Sequence, residues 1–89
     1  MKAIVTVVGK DQVGIIATVC AKLAEYNVNV LDISQTVMQG YFTMMMVTDA
    51  AACSVPLVDF VSIMEEMGKQ RGLSIRVQRE DIFEAMHRV

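Results

Sequence analysis

The segment from Val8 to Ile16 contains the residues of this chain best suited to hold a small ligand. Two glycines bracket a polar run here, in the order Gly9, Lys10, Asp11, Gln12, Val13 and Gly14. Glycine lacks a Cβ, so a ligand can approach the backbone closely and positive φ is accessible. The start of a helix also exposes unpaired N–H groups, which bind carboxylate or phosphate. The sequence therefore predicts that part of any ligand site lies in this segment.

Other reactive side chains do not form a catalytic or metal-binding pattern. Cys20 and Cys53 lack the spacing of metal ligands, and His87 is the single histidine. Two reduced thiols, one of them buried as a small apolar side chain, are the expected state. The neighbouring carboxylates Glu65 and Glu66 fall on a polar helix face, where solvation is their ordinary role. We therefore expect no enzyme activity, no metal and no cofactor.

Composition limits the classes of protein that this chain can represent. A length of 89 residues predicts one domain, with a core over 1–79 and a helical extension over 80–89. A formal charge of −2 argues against a protein that follows nucleic-acid phosphates. The first residues lack a signal-peptide pattern, and no apolar run approaches the roughly 20 residues that span a bilayer. The expected location is cytoplasmic, with no membrane contact.

The periodicity of apolar residues predicts the order strand, helix, strand, strand, helix, strand and a terminal helix. The predicted bounds are Lys2–Val8, Gly14–Tyr26, Asn29–Met38, Tyr41–Val47, Val55–Gln70 and Leu73–Gln78, with the terminal helix opening at Glu80 and Asp81. The order βαββαβ is the ferredoxin-like arrangement of the α+β class, a four-stranded antiparallel sheet with two helices on one face.

The other face of such a sheet needs a cover. Residues that could lie on that face include Val5, Val7, Tyr41, Thr43 and Met45. The apolar content of 54% is high for so short a chain, which favours a second copy as the cover and a homodimer as the assembly. The sequence leaves open whether the terminal segment, residues 82–86, packs on its own domain or on its partner.

A ferredoxin-like fold does not determine function, so each class must be tested against the residues. A copper chaperone needs two thiolates in the first loop, and this loop has none. An acylphosphatase needs an arginine cradle there, but the first arginine of the chain is Arg71. An RNA-binding sheet needs aromatic residues on both central strands, and the first strand has none. A small-molecule-binding module is the class that remains.

Two motifs resemble the ACT domain. The first is the segment Gly9–Ile15 followed by a helix, and the second is Asn27-Val28-Asn29-Val30 opening the next strand. The continuation Leu31–Gln35 is similar to small stand-alone ACT proteins of the UPF type, related to the glycine-cleavage repressor branch. The resemblance covers the chain to about Gln78. It implies a regulatory domain that binds an amino acid at a homodimer interface and modulates a partner protein.

The resemblance also implies which residues bind the ligand. They are Asp11, Gln12, Val13, Gly14 and Ile15 in the first loop, with Asn29 and Val30 at the start of the second strand. Asp11 matches a position that often carries Asn or Asp, and Asn29 matches an asparagine that contacts ligand across the interface. Val13 stands where many members have proline, which makes the loop less rigid. Gly9 stands where some serine-binding relatives have histidine, so serine specificity does not carry over.

Each of these residues also has a purely structural interpretation. Asp11 could cap the loop or pair with Lys10, Asn29 could satisfy local backbone groups, and Gly14 could serve helix–strand packing. The alternative function is then a dimerisation or protein-interaction module that binds no metabolite. The surplus of methionine and other apolar residues supports that alternative.

Overall fold

The computed structural model describes residues 1–86 and contains four strands and three helices in the order βαββαβα. The elements are β1 (Lys2–Lys10), α1 (Ile15–Glu25), β2 (Asn29–Met38), β3 (Tyr41–Asp49), α2 (Leu57–Gln70), β4 (Ser74–Arg79) and α3 (Glu80–Met86). The predicted order is confirmed, and the bounds of β2 agree at both ends. The last part of the predicted extension, 87–89 with His87, lies outside the described residues.

The four strands form one antiparallel sheet in the order β2-β3-β1-β4. The order confirms the ferredoxin-like prediction and leaves β2 and β4 as the two edges. The turn that joins β2 to β3 consists of Gln39 and Gly40, whose φ angles are 51° and 82°. Two positive φ angles in a two-residue hairpin match the twist of the flanking strands. The hairpin signal in the sequence is therefore confirmed.

The core lies between one face of the sheet and helices α1 and α2. Its fully buried side chains include Val5 and Val7 of β1, Leu23 of α1 and Phe60 of α2. The prediction that Val5 and Val7 could lie on the open face is therefore wrong. Apolar residues occur on both faces of β1, because Ile4 and Val8 alternate with Val5 and Val7, so their presence alone does not fix which set turns toward the helices.

The open face carries the other alternate residues of the sheet. Tyr41, Thr43 and Met45 lie there as predicted, and all three are exposed. Val8 and Thr6 of β1 share this face, directly opposite Thr43 and Met45. The part of the open face nearer the β2–β3 hairpin is therefore mixed in polarity and open to solvent.

Helix α3 packs beneath the sheet of its own domain, on the side away from α1 and α2. Gln78 shares the open face with Ile4, its direct neighbour across the β1–β4 pair. The Gln78 Nε2 group donates to the Met86 sulfur at 3.5 Å, and α3 contacts both β1 and β4. Ile4 is 5% exposed although it points away from the main core. The helix thus covers one end of the open face.

Candidate ligand site

The first loop, residues 11–14, is held at two points. The Asp11 N–H donates to the Gly40 carbonyl at 2.8 Å, which ties the loop to the β2–β3 hairpin. The Gln12 Nε2 group donates to the Arg71 carbonyl at 3.2 Å, which ties it to the turn between α2 and β4. Val13 lies between these anchors and α1 with a fully exposed side chain. The loop is thus positioned by both neighbouring turns while its tip faces solvent.

Gly14 is the N-cap residue that precedes α1, and its backbone is left-handed, with φ 85° and ψ 11°. A Cβ added at Gly14 would meet nothing within 4 Å, so the glycine is needed for its backbone conformation. Helix–strand packing therefore does not explain why a glycine occupies position 14. No side chain caps the helix, and its first turn contains no acidic residue. The N–H groups of the first turn are left to bind an anion from outside, aided by the helix dipole.

The charged groups around the loop are exposed. Asp11 and Lys10 are both solvent-exposed, and within residues 1–86 neither side chain forms an ion pair. The described residues therefore contain no ion pair between Asp11 and Lys10. Ile15, the first residue of α1, buries its side chain in the core, so only its backbone faces the loop. The loop presents one free carboxylate beside a set of free N–H donors.

Asn29 and Val30 lie at the opposite end of the sheet. Asn29 pairs with Asp49, and Asp49 pairs with Lys2 at the start of β1. The nine residues of β1 separate this end from the first loop, a distance of about 26 Å at ~3.3 Å per residue. Asn29 is exposed, whereas Val30 is half-buried against the core. A single chain therefore does not bring Asp11 and Asn29 together.

Asp49 adds a second carboxylate at the Asn29 end. Its Oδ1 atom accepts from the Ala51 N–H at 2.9 Å and lies 3.4 Å from the Met1 α-ammonium. The Ala51 hydrogen bond, followed by the Met1 ammonium, lowers the pKa of the Asp49 carboxyl below its ordinary value of 3.8. Local backbone groups here are satisfied by Asn27, whose Nδ2 donates to the Ala52 carbonyl at 3.0 Å. Asn29 is thus left available for an external partner.

A hollow on the open face lies next to the β2–β3 hairpin that the first loop contacts. It measures about 470 Å³ and is lined by Thr36, Met38, Gln39, Tyr41 and Thr43 on the open face. No charged side chain lines it, so it offers no partner for the ammonium or carboxylate of an amino acid. The first loop offers both partners. We therefore place the candidate site at the loop rather than at this hollow.

Two close contacts that support the loop were not predicted from the sequence. A Cβ at Gly9 would lie 2.6 Å from Leu73 Cδ2 and 3.3 Å from the Gly72 carbonyl oxygen. Gly9 therefore lets the end of β1 pack against the turn that Gln12 also contacts. The contact of Gly9 with Leu73 and the hydrogen bond of Gln12 to Arg71 each join residues about 60 positions apart; for Gln12 and Arg71 the separation is 59. Only the fold itself places them together.

Residues 1–86 contain neither a cluster of metal ligands nor a membrane-spanning helix. No group of three or more His, Cys, Asp or Glu side chains that could hold a metal ion occurs there. No helix in this part is long and apolar enough to cross a membrane. Cys20 and Cys53 are both free thiols and half-buried.

The fold and the loop define a small ferredoxin-like domain with a candidate small-molecule site. The family model of the ACT domain matches residues 2–78. A UPF0237 protein of Clostridium acetobutylicum is 58% identical over 90 residues, with all of both chains covered. An ACT domain protein from Streptococcus pneumoniae is 45% identical, with 98% of each chain covered and a TM-score of 0.83. The chain belongs to the ACT domain family.

The resemblance noted from the sequence is thereby confirmed. A solved glycine cleavage system transcriptional repressor shares the fold at a TM-score of 0.73, with 19% identity over 86% of this chain and 44% of that one. ACT domains are typically small-molecule-binding regulatory domains.

Proposed function

We propose that this chain is a regulatory domain that binds a small amino acid at the interface of a homodimer and modulates a partner protein. One observation carries the proposal. The first loop presents a free carboxylate, Asp11, beside the uncapped N-terminus of α1. A free amino acid carries the two complementary groups, an ammonium and a carboxylate. The loop therefore has the charges to bind both ends of such a ligand.

The edge strand β2 supplies a surface for the second subunit. Residues 31–38 are exposed without a break, and Leu31, Ile33, Val37 and Met38 are between 40% and 68% exposed. A long apolar edge strand is a site for pairing with another chain. A two-fold axis through β2 would pair it with its copy in antiparallel register. Two four-stranded sheets would then form one continuous sheet of eight strands.

This pairing accounts for how Asp11 and Asn29 can share a ligand. In an antiparallel pair, the Asn29 end of one β2 lies beside the Met38 end of the other. The hairpin after Met38 contacts the first loop through the Asp11–Gly40 hydrogen bond. The Asn29 of one subunit is thereby directed toward the first loop of its partner. Because two subunits contribute to each site, the separation of about 26 Å within one chain does not keep Asp11 and Asn29 from binding the same ligand.

Each group has a role in the proposed complex. The N–H groups at the start of α1, from Ile15 onward, hold the ligand carboxylate. Asp11 holds the ammonium, and the Asn29 amide donates and accepts from the other subunit. Gly14 keeps the backbone in the left-handed turn that aims these N–H groups outward. Gln12 anchors the loop through Arg71, and the exposed Val13 can close over an apolar part of the ligand.

The test begins with a thermal-shift screen of the common amino acids. A ligand at 100 times its Kd stabilises the folded state by about 2.7 kcal/mol. Calorimetric titration of the best ligand follows, with wild type and Asp11→Ala compared. Loss of a charged hydrogen-bond partner costs about 1.5–3 kcal/mol, so Asp11→Ala should weaken binding roughly 10- to 100-fold. Glu66→Ala, which removes an exposed carboxylate on α2, is the matched control and should bind as wild type does.

Equal affinity of Asp11→Ala and wild type would remove Asp11 from the site. The second candidate function is a dimerisation or interaction module without a metabolite. The exposed apolar residues of β2 favour it, because they support pairing whether or not a ligand binds. A dimer that responds to no amino acid in the screen would establish this second function over the first.

A further inference from the structure

The strand β4 has one free edge. It pairs with β1 on one side, and no strand within residues 1–86 pairs with its other side. In an antiparallel sheet, alternate residues direct both the N–H and the C=O toward the same side. About three of the six residues of β4 therefore direct backbone groups outward. Such an edge can accept an extended chain as an additional strand.

Helix α2 forms a wall beside this edge. Gly68 lies so close to β4 that an added Cβ would be 2.8 Å from both the Leu73 carbonyl oxygen and Ile75 Cγ1. Two adjoining hollows, of about 380 and 250 Å³, run along the strand and share Glu65 and Arg76. Lys69 and Ser74 also line the larger of the two. We call the pair of hollows the α2–β4 groove. An edge strand next to a helix wall is the geometry by which an extended peptide is held.

The groove is lined by one more basic than acidic side chain, in a chain of negative net charge. Lys69 and Arg76 line it, and Arg71 follows α2 at its upper end. Within residues 1–86, none of these three side chains is part of an ion pair. Arg79 is different, because Asp81 binds it at 2.7 Å. Glu65 is the single acidic side chain among the residues that line the groove. The unpaired cations favour an acidic occupant and disfavour a basic one.

The groove also connects to the first loop. The turn that leads into β4 receives the Gln12 hydrogen bond at the Arg71 carbonyl and packs against Gly9 through Leu73. A conformational change in the first loop would therefore act directly on the end of the groove where β4 begins. This connection makes the β4 edge, rather than a distant surface, the natural place for a regulated partner.

We propose that the α2–β4 groove binds an extended acidic segment of a partner protein, which adds to β4 as a fifth strand. The backbone groups of β4 supply the hydrogen bonds, and Lys69 and Arg76 supply the charge complementarity. The docking itself does not require the amino acid of the proposed function. Failure of the ligand screen would therefore leave this proposal standing, and the reverse also holds.

The experiment titrates ¹⁵N-labelled protein with a blocked peptide of alternating glutamate and threonine, without any amino acid present. The amide signals of 69–79 should shift, and those of β4 should become protected from hydrogen exchange. Binding should weaken as the salt concentration rises. Two control peptides should each bind about 10-fold more weakly or worse. One alternates lysine and threonine and has the wrong charge. The other is a glutamate peptide interrupted by proline, which lacks the backbone N–H donors at the proline positions.

A charge-reversal variant locates the interaction. Lys69→Glu combined with Arg76→Glu should weaken binding of the glutamate–threonine peptide by about 10-fold or more. Lys2→Glu combined with Lys22→Glu changes the net charge equally, outside the groove, and should have a much smaller effect. The peptide and salt comparisons use wild-type protein, so they decide the question even if a variant folds poorly. Unchanged spectra, shifts confined to β2, or equal binding of the lysine peptide would overturn the proposal.

Discussion

The two edges of the sheet differ in nearly every property that matters for association. β2 has ten residues, is exposed from 31 to 38 and carries large apolar side chains. β4 has six residues, packs tightly against α2 and carries Arg76 and Arg79. An apolar edge can pair with its own copy, because identical surfaces meet across a two-fold axis. A basic edge would oppose like charges in such a pair, so it suits a different, acidic chain.

The largest expected effect comes from a charge placed on the β2 edge. Ile33 lies near the middle of β2, so a two-fold axis brings both copies of a substituted side chain close together. Ile33→Asp should weaken self-association by about 100-fold or more, because two carboxylates would face each other in a partly desolvated interface. Analytical ultracentrifugation over a concentration series measures the change.

Val58→Asp is the matched control for this variant. Val58 is 72% exposed on α2, away from β2, and an acid in the first turn of a helix is favourable. Its self-association should equal that of wild type. A wild-type chain that is monomeric at high micromolar concentration would contradict the proposed dimer. Equal dimerisation by Ile33→Asp and wild type would move the interface away from β2.

The next largest effect is expected where α2 packs tightly against β4. Gly68→Ala would place a Cβ 2.8 Å from the Leu73 carbonyl oxygen, and backbone cannot move aside as a flexible side chain can. The free energy of unfolding should fall by about 1–2 kcal/mol, despite the better helix propensity of alanine. Thr36→Val on the exposed β2 edge should change it by no more than about 0.5 kcal/mol. Urea unfolding at one fixed protein concentration measures both.

A Gly68→Ala protein as stable as wild type would show that α2 can shift away from β4. The helix would then be a movable wall, and the α2–β4 groove would not be preformed. That result would weaken the contrast between a rigid β4 edge and an open β2 edge.

The smallest effect concerns Asp49, beside Asn29. Its lowered pKa means that the folded state favours the charged carboxylate. The resulting stability is present above the ordinary pKa of 3.8 and is lost as the pH falls through the lower folded-state value. Asp49→Asn should remove this part of the acid dependence while leaving the neutral-pH fold intact. Unfolding curves between pH 2 and 6 compare the two proteins, and superimposable pH profiles would contradict the assignment.

The sequence predicts local structure well here because local signals agree with the fold. The period-two pattern gives β2 its correct bounds, and Gln39-Gly40 forms the predicted hairpin. The predicted position of Val5 and Val7 is wrong because apolar residues occur on both faces of β1. Asp11 and Asn29 could be named from motifs, but their separation by the length of the sheet follows only from strand order.

Long-range contacts account for what sequence reasoning does not reach. The close approach of Gly9 to Leu73 and of Gly68 to Ile75 depends on how α2 settles against β4. The sequence marks Gly9 only as one end of the polar run, and no local signal marks Gly68 within α2. The basic character of the groove likewise appears only when Lys69 and Arg76 are brought together from a helix and a strand.

The central claim is that one ligand site takes Asp11 from one subunit and Asn29 from the other. Mixing two defective proteins, Asp11→Ala and Asn29→Ala, tests it most directly. In a mixed dimer, the Asn29→Ala subunit contributes an intact loop and the Asp11→Ala subunit contributes an intact Asn29. One complete site therefore forms in each mixed dimer, and the other site carries both defects.

Calorimetric titration of the equilibrated equimolar mixture, with the amino acid identified in the screen, gives the answer. The proposed geometry predicts that about one quarter of all sites regain wild-type affinity, since about half of the dimers are mixed and each has one complete site. Each variant alone should show none. A mixture that binds no better than the two variants measured separately, while wild type binds, would contradict the shared site.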